Sequence, residues 1–190
     1  MNKISVLFIL IIFSFSLMFA EISNVFSTIE LGLEAGSEVV ENKFHDYWDK
    51  GVSINSFAVV PYHYGSFELG IQYSEYKAKE GMAKDLEDIS ISLGWGKSIP
   101  IVNKIEWYNS VSFTNHMMKI IYTNITTSES EISLNVNSQM KYHFYKSFRL
   151  IVGIKSSTMF TFHKIDHTYY YVGVSYSINT PTFIKRFLQW

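Results

Sequence analysis

Apolar and polar residues alternate with a period of two along most of the chain. In Thr168–Ile178, one parity carries tyrosine, valine and isoleucine, and the other carries tyrosine, glycine and serine. This period is typical of a β-strand, because successive side chains of a strand point to opposite faces. The alternation predicts eight strands, at 28–37, 52–62, 67–74, 89–96, 105–113, 131–144, 148–155 and 168–178.

The connections between these segments alternate in length. Four long, mostly charged connections follow the first, third, fifth and seventh segments, and the connections between them are shorter, such as 145–147. Consecutive antiparallel strands reverse direction, so all the long connections fall at one end, the long-loop end. The short connections and both termini fall at the other, the short-turn end. The pattern predicts an all-β fold, an eight-stranded antiparallel up-and-down transmembrane β-barrel.

Alternation alone does not show which face of the barrel points outward. A soluble lipocalin-like barrel is apolar inside, whereas a membrane barrel is apolar outside. Glycine favours the membrane barrel, because a narrow eight-stranded lumen leaves little room for larger side chains. Seven of the ten glycines lie on the polar parity: Gly32, Gly36, Gly70, Gly94, Gly96, Gly153 and Gly173.

Aromatic residues on the apolar parity recur at the short-turn end of seven of the predicted strands. Rings at one common level are typical of the girdles that flank the apolar band of membrane barrels. Packing in an ordinary protein core does not require aromatic rings to lie at the same height along the barrel. We therefore predict an interfacial aromatic girdle made of Tyr62, Phe67, Trp95, Trp107, Phe144, Phe148 and Tyr176.

The N-terminus has the layout of a secretory signal peptide. Lys3 precedes the apolar run Val6–Phe19, and Ala20 is a small residue at which cleavage is expected. The alternative is an uncleaved membrane anchor, although the run is shorter than the roughly 20 residues that span a bilayer. We expect residues 1–20 to be the signal peptide and residues 21–178 to form the barrel.

Residues 179–190 follow the last predicted strand as a C-terminal tail. Thr180 and Pro181 are residue types that cap and begin helices. The apolar residues that follow, together with Lys185 and Arg186, would suit the surface of a membrane. We therefore expect a short interfacial helix in this tail.

Together these features resemble the small bacterial outer-membrane barrels of the OmpX, OmpA-membrane-domain and opacity-protein type. The resemblance rests on the signal peptide, the eight alternating segments, the one-sided long connections and a terminal aromatic residue, and it covers the whole mature chain. It implies an outer-membrane location and contact with outer-membrane lipid. The chain departs from the family pattern at its end, because Trp190 lies beyond the eighth strand instead of closing it.

Composition excludes several functions. The formal net charge is −1, so no nucleic-acid partner is expected. The chain has no cysteine, which excludes disulfides, thiolate metal sites, a cysteine nucleophile and a lipidated N-terminal cysteine. No cofactor is expected either.

Charged residues on the polar parity form a predicted lumen network. Glu106, Lys141 and Arg149 fall near the short-turn end of three consecutive strands, so we expect them to touch. Charges in a narrow lumen must pair or stay hydrated, so the network predicts a structural plug, and the alternative is a polar path for ions or small solutes. Its predicted members are Glu30, Glu34, Glu68, Glu106, Lys141, Arg149 and Lys155.

Two kinds of chemistry are weighed against this structural interpretation. Loop histidines and acids suggest zinc or general-base chemistry, but their spacing matches no metal signature, so no metal site is predicted. A lipid-modifying hydrolase or acyltransferase would need a serine activated by a histidine, and His116 with Ser128 or Ser130 is the candidate pair. The loop histidines and acids considered for zinc or general-base chemistry are His45, Asp46, His163, Asp166 and His167.

The sequence therefore predicts a non-enzymatic, monomeric outer-membrane barrel with a structural or surface-interaction role. Four long external loops would meet an extracellular ligand or surface. A narrow pore is the first alternative, and a lipid-modifying enzyme is the second. The segment Met117–Tyr122 is a candidate extension of strands five and six beyond the membrane, where a partner would bind by strand addition.

Overall fold

The computed structural model describes residues 26–39, 43–80, 84–121, 126–160 and 165–188, so the predicted signal peptide, residues 1–20, lies outside the described residues. Eight strands follow one another around a closed barrel, each antiparallel to its neighbours, and β1 pairs with β8. The predicted eight-stranded all-β fold is confirmed. The strands are β1 Thr28–Glu38, β2 Val52–Tyr62, β3 Gly65–Tyr76, β4 Leu86–Val102, β5 Ile105–Ile121, β6 Thr126–Tyr145, β7 Phe148–Met159 and β8 Ile165–Asn179.

The aliphatic face of the barrel points outward. On three separate strands Leu33, Leu93 and Val174 are 58%, 62% and 47% exposed, while Glu30 is 9% exposed and Gly94 is buried. This is the reverse of a soluble barrel, in which the aliphatic side chains would pack together inside. The outward orientation predicted for the apolar parity is therefore confirmed.

Several strands are longer than their alternation suggests. β4 continues through Pro100 to Val102, so residues 97–102, predicted to be part of a connection, belong to a strand. The pairing of β4 with β5 shifts register between Pro100 and Val102. Proline lacks an N–H, and such an irregularity is one of the few places in a sheet that tolerate it.

The last two long-loop connections are also largely strand. β5 and β6 pair as far as Ile121 and Thr126, and β7 and β8 pair as far as Met159 and Ile165. The connection at 39–51 keeps nearly its expected length, and the one at 77–85 stays long although β3 and β4 both extend into it. The prediction of four long loops is therefore wrong for the last two connections, which are extended hairpins instead.

The interior is filled with side chains. One buried apolar cluster lies among β2, β5, β7 and β8, and glycines make room for its rings: a Cβ atom on Gly96 would overlap Tyr108, and one on Gly153 would overlap Tyr171. Two apolar residues of β2, Phe57 and Val59, lie on the opposite parity from the outward-facing Ala58 and point inward. The cluster consists of Phe57, Val59, Tyr108, Ile151 and Tyr171.

Two short helices accompany the barrel. A 3-10 helix, Lys43–Asp46, lies in the β1–β2 connection, and helix α1, Thr182–Leu188, follows β8. The backbone N–H of Thr180 donates to the carbonyl of Ser27 (3.0 Å), which holds the start of the tail beside the start of β1.

Among the described residues, no helix is long and apolar enough to cross a bilayer.

Candidate functional site

A transverse salt bridge crosses the lumen near the short-turn end. The Nζ atom of Lys141 on β6 lies 2.8 and 2.9 Å from the two carboxylate oxygens of Glu30 on β1. The guanidinium of Arg149 lies 2.9 Å from the same carboxylate, and Ser175 donates to it at 2.7 Å. Since β1 and β6 are not neighbours in the sheet, these contacts run through the interior.

Two more acids join this layer through intermediate groups. Lys141 lies 4.3 Å from the centre of the Tyr108 ring, and the Tyr108 hydroxyl donates to Glu68 at 2.9 Å. Glu106 contacts His143 at 2.7 Å, and the Nε atom of Arg149 lies 3.2 Å from the same histidine nitrogen. The predicted grouping of Glu106 with Arg149 is therefore bridged by a histidine.

The remaining predicted members of the lumen network lie nearer the long-loop end of the barrel. Glu34 accepts a hydrogen bond from Asn55 at 2.9 Å, and Lys155 donates to the side-chain oxygen of Gln72. All seven predicted residues thus lie on the inner face, and each has a hydrogen-bonding partner there. Residues that the sequence analysis left out of the network complete it: Tyr108, Asn137, Gln139, His143, Tyr171 and Ser175.

The β1–β2 connection covers the long-loop end of the interior. The Phe44 ring stacks on Trp48 with centroids 4.7 Å apart and meets Tyr76 edge-on at 5.0 Å. The indole N–H of Trp48 donates to the carbonyl of Lys84 at 2.8 Å, which ties this connection to the next one. Phe44, Trp48, Tyr76 and Leu86 form what we call the mouth cap.

A carboxylate below the mouth cap contacts two histidines. Glu38 lies 2.5 Å from Nδ1 of His167 and 3.1 Å from Nε2 of His45, and all three side chains are buried. Asp166 accepts a hydrogen bond from Thr158 instead, Asp46 is exposed, and His163 lies outside the described residues. Within the described part of the chain, no group of three acidic, histidine or cysteine residues is arranged to hold a metal ion.

A second histidine contact has the order of a hydrolase triad. Nδ1 of His116 lies 2.7 Å from the carboxylate of Asp88, and its Nε2 lies 2.9 Å from the hydroxyl of Ser133. The sequence analysis paired His116 with Ser128 or Ser130, but Ser130 donates to Asn115 instead (2.8 Å).

This triad-like group has no access for an acyl substrate. Ser133 has no exposed surface, and the cavity beside His116 is about 20 Å³, which is room for one water molecule. Hydrolysis needs the nucleophile to meet the scissile carbonyl carbon, and nothing larger than water fits here. The arrangement is therefore a buried hydrogen-bond network of the barrel wall.

The seven aromatic residues of the predicted girdle fall into two ring clusters and one separate residue. On β2–β4, Tyr62, Phe67 and Trp95 have centroids 4.9 to 6.0 Å apart. On β6–β8, Phe148 lies 4.6 Å from Tyr176 and 6.1 Å from Phe144. Trp107 on β5 donates its indole N–H to Ser138 at 2.8 Å.

Comparisons with known proteins show the same architecture. No family model and no curated protein matches this chain. The crystal structure of Neisserial surface protein A is similar over 78% of this chain and 95% of its own length, with 13% identity and a TM-score of 0.59. The N-terminal β-barrel domain of Pseudomonas aeruginosa OprF is similar over 82% of this chain and all of its own, with 12% identity and a TM-score of 0.54. The chain therefore has the fold of the small eight-stranded outer-membrane β-barrels.

Proposed function

We propose that this chain is an integral, monomeric β-barrel of a bacterial outer membrane that acts in membrane structure and surface interaction. The observation that carries the proposal is the exposed aliphatic band around a polar, ion-paired interior. Leu93, Val152 and Val172 are about 60% exposed on three different strands. Leaving such side chains in water costs roughly 1.5–3 kcal/mol for each fully exposed residue, whereas lipid removes that cost.

Membrane fractionation combined with gel electrophoresis tests this location. We expect the full chain to sediment with outer membranes, to float with vesicles in a density gradient, and to migrate differently before and after boiling, because the closed barrel resists unfolding in detergent. A soluble periplasmic barrel would stay in the aqueous phase without detergent. Recovery of folded protein there would contradict the proposal.

The surface-interaction role is supported by an exposed strand edge. At the long-loop end of the barrel, the last hydrogen bond between β6 and β7 runs from the Phe160 N–H to the carbonyl of Ile132 (2.9 Å). Beyond it, no described strand pairs with β6 on that side. Backbone groups of an antiparallel strand alternate in direction, so those of Ser128 and Ser130 point away from β5, toward the open edge.

This edge is long enough to receive a partner strand. Residues 126–132 cover about 23 Å at the usual rise of a strand. Its outer face carries exposed apolar side chains beside it, namely Met117 (43%) and Ile89 (49%). We therefore propose that the edge binds an extended peptide of an extracellular partner by strand addition.

Proline at the edge tests strand addition. Ser128→Pro removes one backbone N–H that points toward the open edge and leaves the pairing of β6 with β5 intact. Ser128→Ala is the matched control, because it keeps this N–H. Selected 12-residue extended peptides from a displayed library are the probe, and binding to vesicles containing each variant is measured. We expect binding to the wild type and to Ser128→Ala, and loss with Ser128→Pro. Equal binding to both variants would contradict the role of the edge.

The two alternative functions receive less support from the interior. A pore needs an open path, but the transverse salt bridge and the mouth cap fill the lumen at two levels. A lipid-modifying enzyme needs an accessible nucleophile, and Ser133 is fully buried.

A further inference from the structure

A groove runs along the outer face of β2. Its floor consists of the two smallest outward-facing side chains of this strand, Ser56 and Ala58, and it is part of a surface depression of about 500 Å³. Larger residues stand on both sides, because Ala58 pairs with Leu31 and Leu69, and Ser56 pairs with Leu33 and Ile71. Beyond β1, the depression continues over Val174 and Tyr176 of β8 to Phe148 of β7.

The width of the groove limits what fits in it. Neighbouring strands lie about 4.8 Å apart, so the backbones of β1 and β3 are about 9.6 Å apart across β2. The leucine and isoleucine side chains on each side narrow this space. A single extended hydrocarbon chain is narrow enough to lie between them.

The C-terminal helix begins beside the short-turn end of β1, the strand next to the groove. Ala58 is close to the short-turn end of β2, where the carbonyl of Pro61 accepts a hydrogen bond from the Phe26 N–H (2.9 Å). The next residue, Ser27, accepts from the N–H of Thr180 (3.0 Å), just before α1 begins. These two bonds place the start of α1, at Thr182, near the short-turn ends of β1 and β2.

The outer surface at this end is basic. Among the described residues, the carboxylates at this end, those of Glu30, Glu68 and Glu106, bond inside the lumen. In the last turn of α1, Lys185 and Arg186 follow Phe183, which is 73% exposed. The basic residues on the outer surface of this end are Lys104, Lys146, Lys185 and Arg186.

We propose that the groove and α1 together bind one anionic phospholipid of the periplasmic leaflet. An acyl chain lies along Ala58 and Ser56, and the phosphate lies against Lys185 and Arg186, while Phe183 enters the interfacial layer. This inference rests on the proposed membrane location. It adds a specific lipid site, with a preference for negative headgroups, to the general contact with lipid.

Filling the groove tests the acyl-chain half of the site. Full-length protein in detergent micelles is titrated with dioleoyl phosphatidylglycerol, and the retained lipid is counted by native mass spectrometry. Ala58→Leu is expected to lower retention by about threefold, since packing alone distinguishes the groove from other apolar surroundings. Ala35→Leu, the same change on the outer face of β1 outside the groove, is expected to leave it unchanged. Equal retention by the two variants would overturn the site.

Neutralising the helix tests the headgroup half. The wild type is expected to prefer dioleoyl phosphatidylglycerol over dioleoyl phosphatidylcholine by about tenfold, and Lys185→Gln with Arg186→Gln to abolish this preference. Lys104→Gln with Lys119→Gln removes one charge at the same end but outside α1 and one charge near the long-loop end, and it should keep the preference. A wild type that binds both lipids equally would overturn the proposal.

The same samples separate this proposal from the one on which it rests. A dimer signal that Ala58→Leu abolishes would mean that a second copy occupies the groove, and it would also overturn the lipid site. Each sample is tested for vesicle flotation and for heat-dependent gel mobility. Protein that inserts but retains no lipid refutes only the lipid site, whereas wild-type protein that does not insert refutes the membrane location itself.

Discussion

Lys141 and Glu30 meet across the barrel at 2.8 Å although 111 residues separate them in the chain. Their strands, β6 and β1, share no backbone hydrogen bonds, so the contact ties together parts of the wall that the sheet connects only around its circumference. Arg149 brings a second cation to the same carboxylate. The buried carboxylate is therefore compensated from two strands at once.

Removing one partner of this contact should destabilise the barrel. Lys141→Met is expected to lower the free energy of unfolding by about 3 kcal/mol, because the buried Glu30 loses one of its two cations while keeping its charge. Urea unfolding of the protein in lipid vesicles measures the change.

Two further variants control this experiment. Lys119→Met, the same change at an exposed position, should alter the free energy by less than about 0.5 kcal/mol. Glu30→Gln combined with Lys141→Met should cost less than the sum of the two single changes, because they act on one contact. A Lys141→Met barrel as stable as the Lys119→Met control would show that the contact contributes nothing.

The sequence predicts the inner and outer faces well because an aliphatic outer face and a polar, filled lumen require opposite residue types at alternate positions. Glu30 and Lys141 stand on the inner parity of their strands, and the alternation alone shows this. Their contact is not visible in the sequence, because it depends on the register around the whole barrel. Phe57 and Val59 show a second limit: an apolar residue also fits inside when glycines opposite make room, so hydrophobicity alone does not assign it to lipid.

Strand length is predicted less well, and the errors share a physical cause. Alternation persists only where one face of a strand is apolar and the other lines the lumen. The Ser128–Ser130 region of β6 is exposed, so it loses the pattern while keeping its pairing with β5. Pro100 misleads in another way, because proline usually marks a connection, yet here it occupies an irregular stretch of β4.

The filled lumen predicts an electrically silent protein. In planar bilayers we expect no stable single-channel current from the wild type. Replacing residues 43–48 with a glycine–serine linker should not open it, because the layer around Lys141, Glu30 and Tyr108 lies below the mouth cap and stays in place. Steady currents from the wild type would contradict the plug. Currents from the linker variant alone would assign the block to the mouth cap.

The buried triad-like group predicts a serine that does not react. A fluorophosphonate probe labels serines that are both activated and accessible, and Ser133 lacks any exposed surface. We expect no labelling of the folded barrel. Labelling that disappears in Ser133→Ala, but persists in the matched exposed variant Ser128→Ala, would show that the wall opens and would revive the enzymatic alternative.

The β3–β4 connection predicts a local response to acid. The carboxylate of Asp85 accepts the Ala78 N–H at 2.9 Å and lies 3.2 Å from Nζ of Lys77, and these contacts, the Ala78 N–H first, hold the pKa of Asp85 below its usual 3.8. A lowered carboxylate pKa means that the ordering contributed by Asp85 is complete above pH 3.8 and is lost as the pH falls through the lower, folded value. Protection of the Ala78 amide from hydrogen exchange, corrected for the intrinsic rate, should therefore be lower at about pH 2.5 than at about pH 5. Asp85→Asn should remove this pH dependence, whereas wild-type protection that is equal at both values would show that the carboxylate does not order the connection.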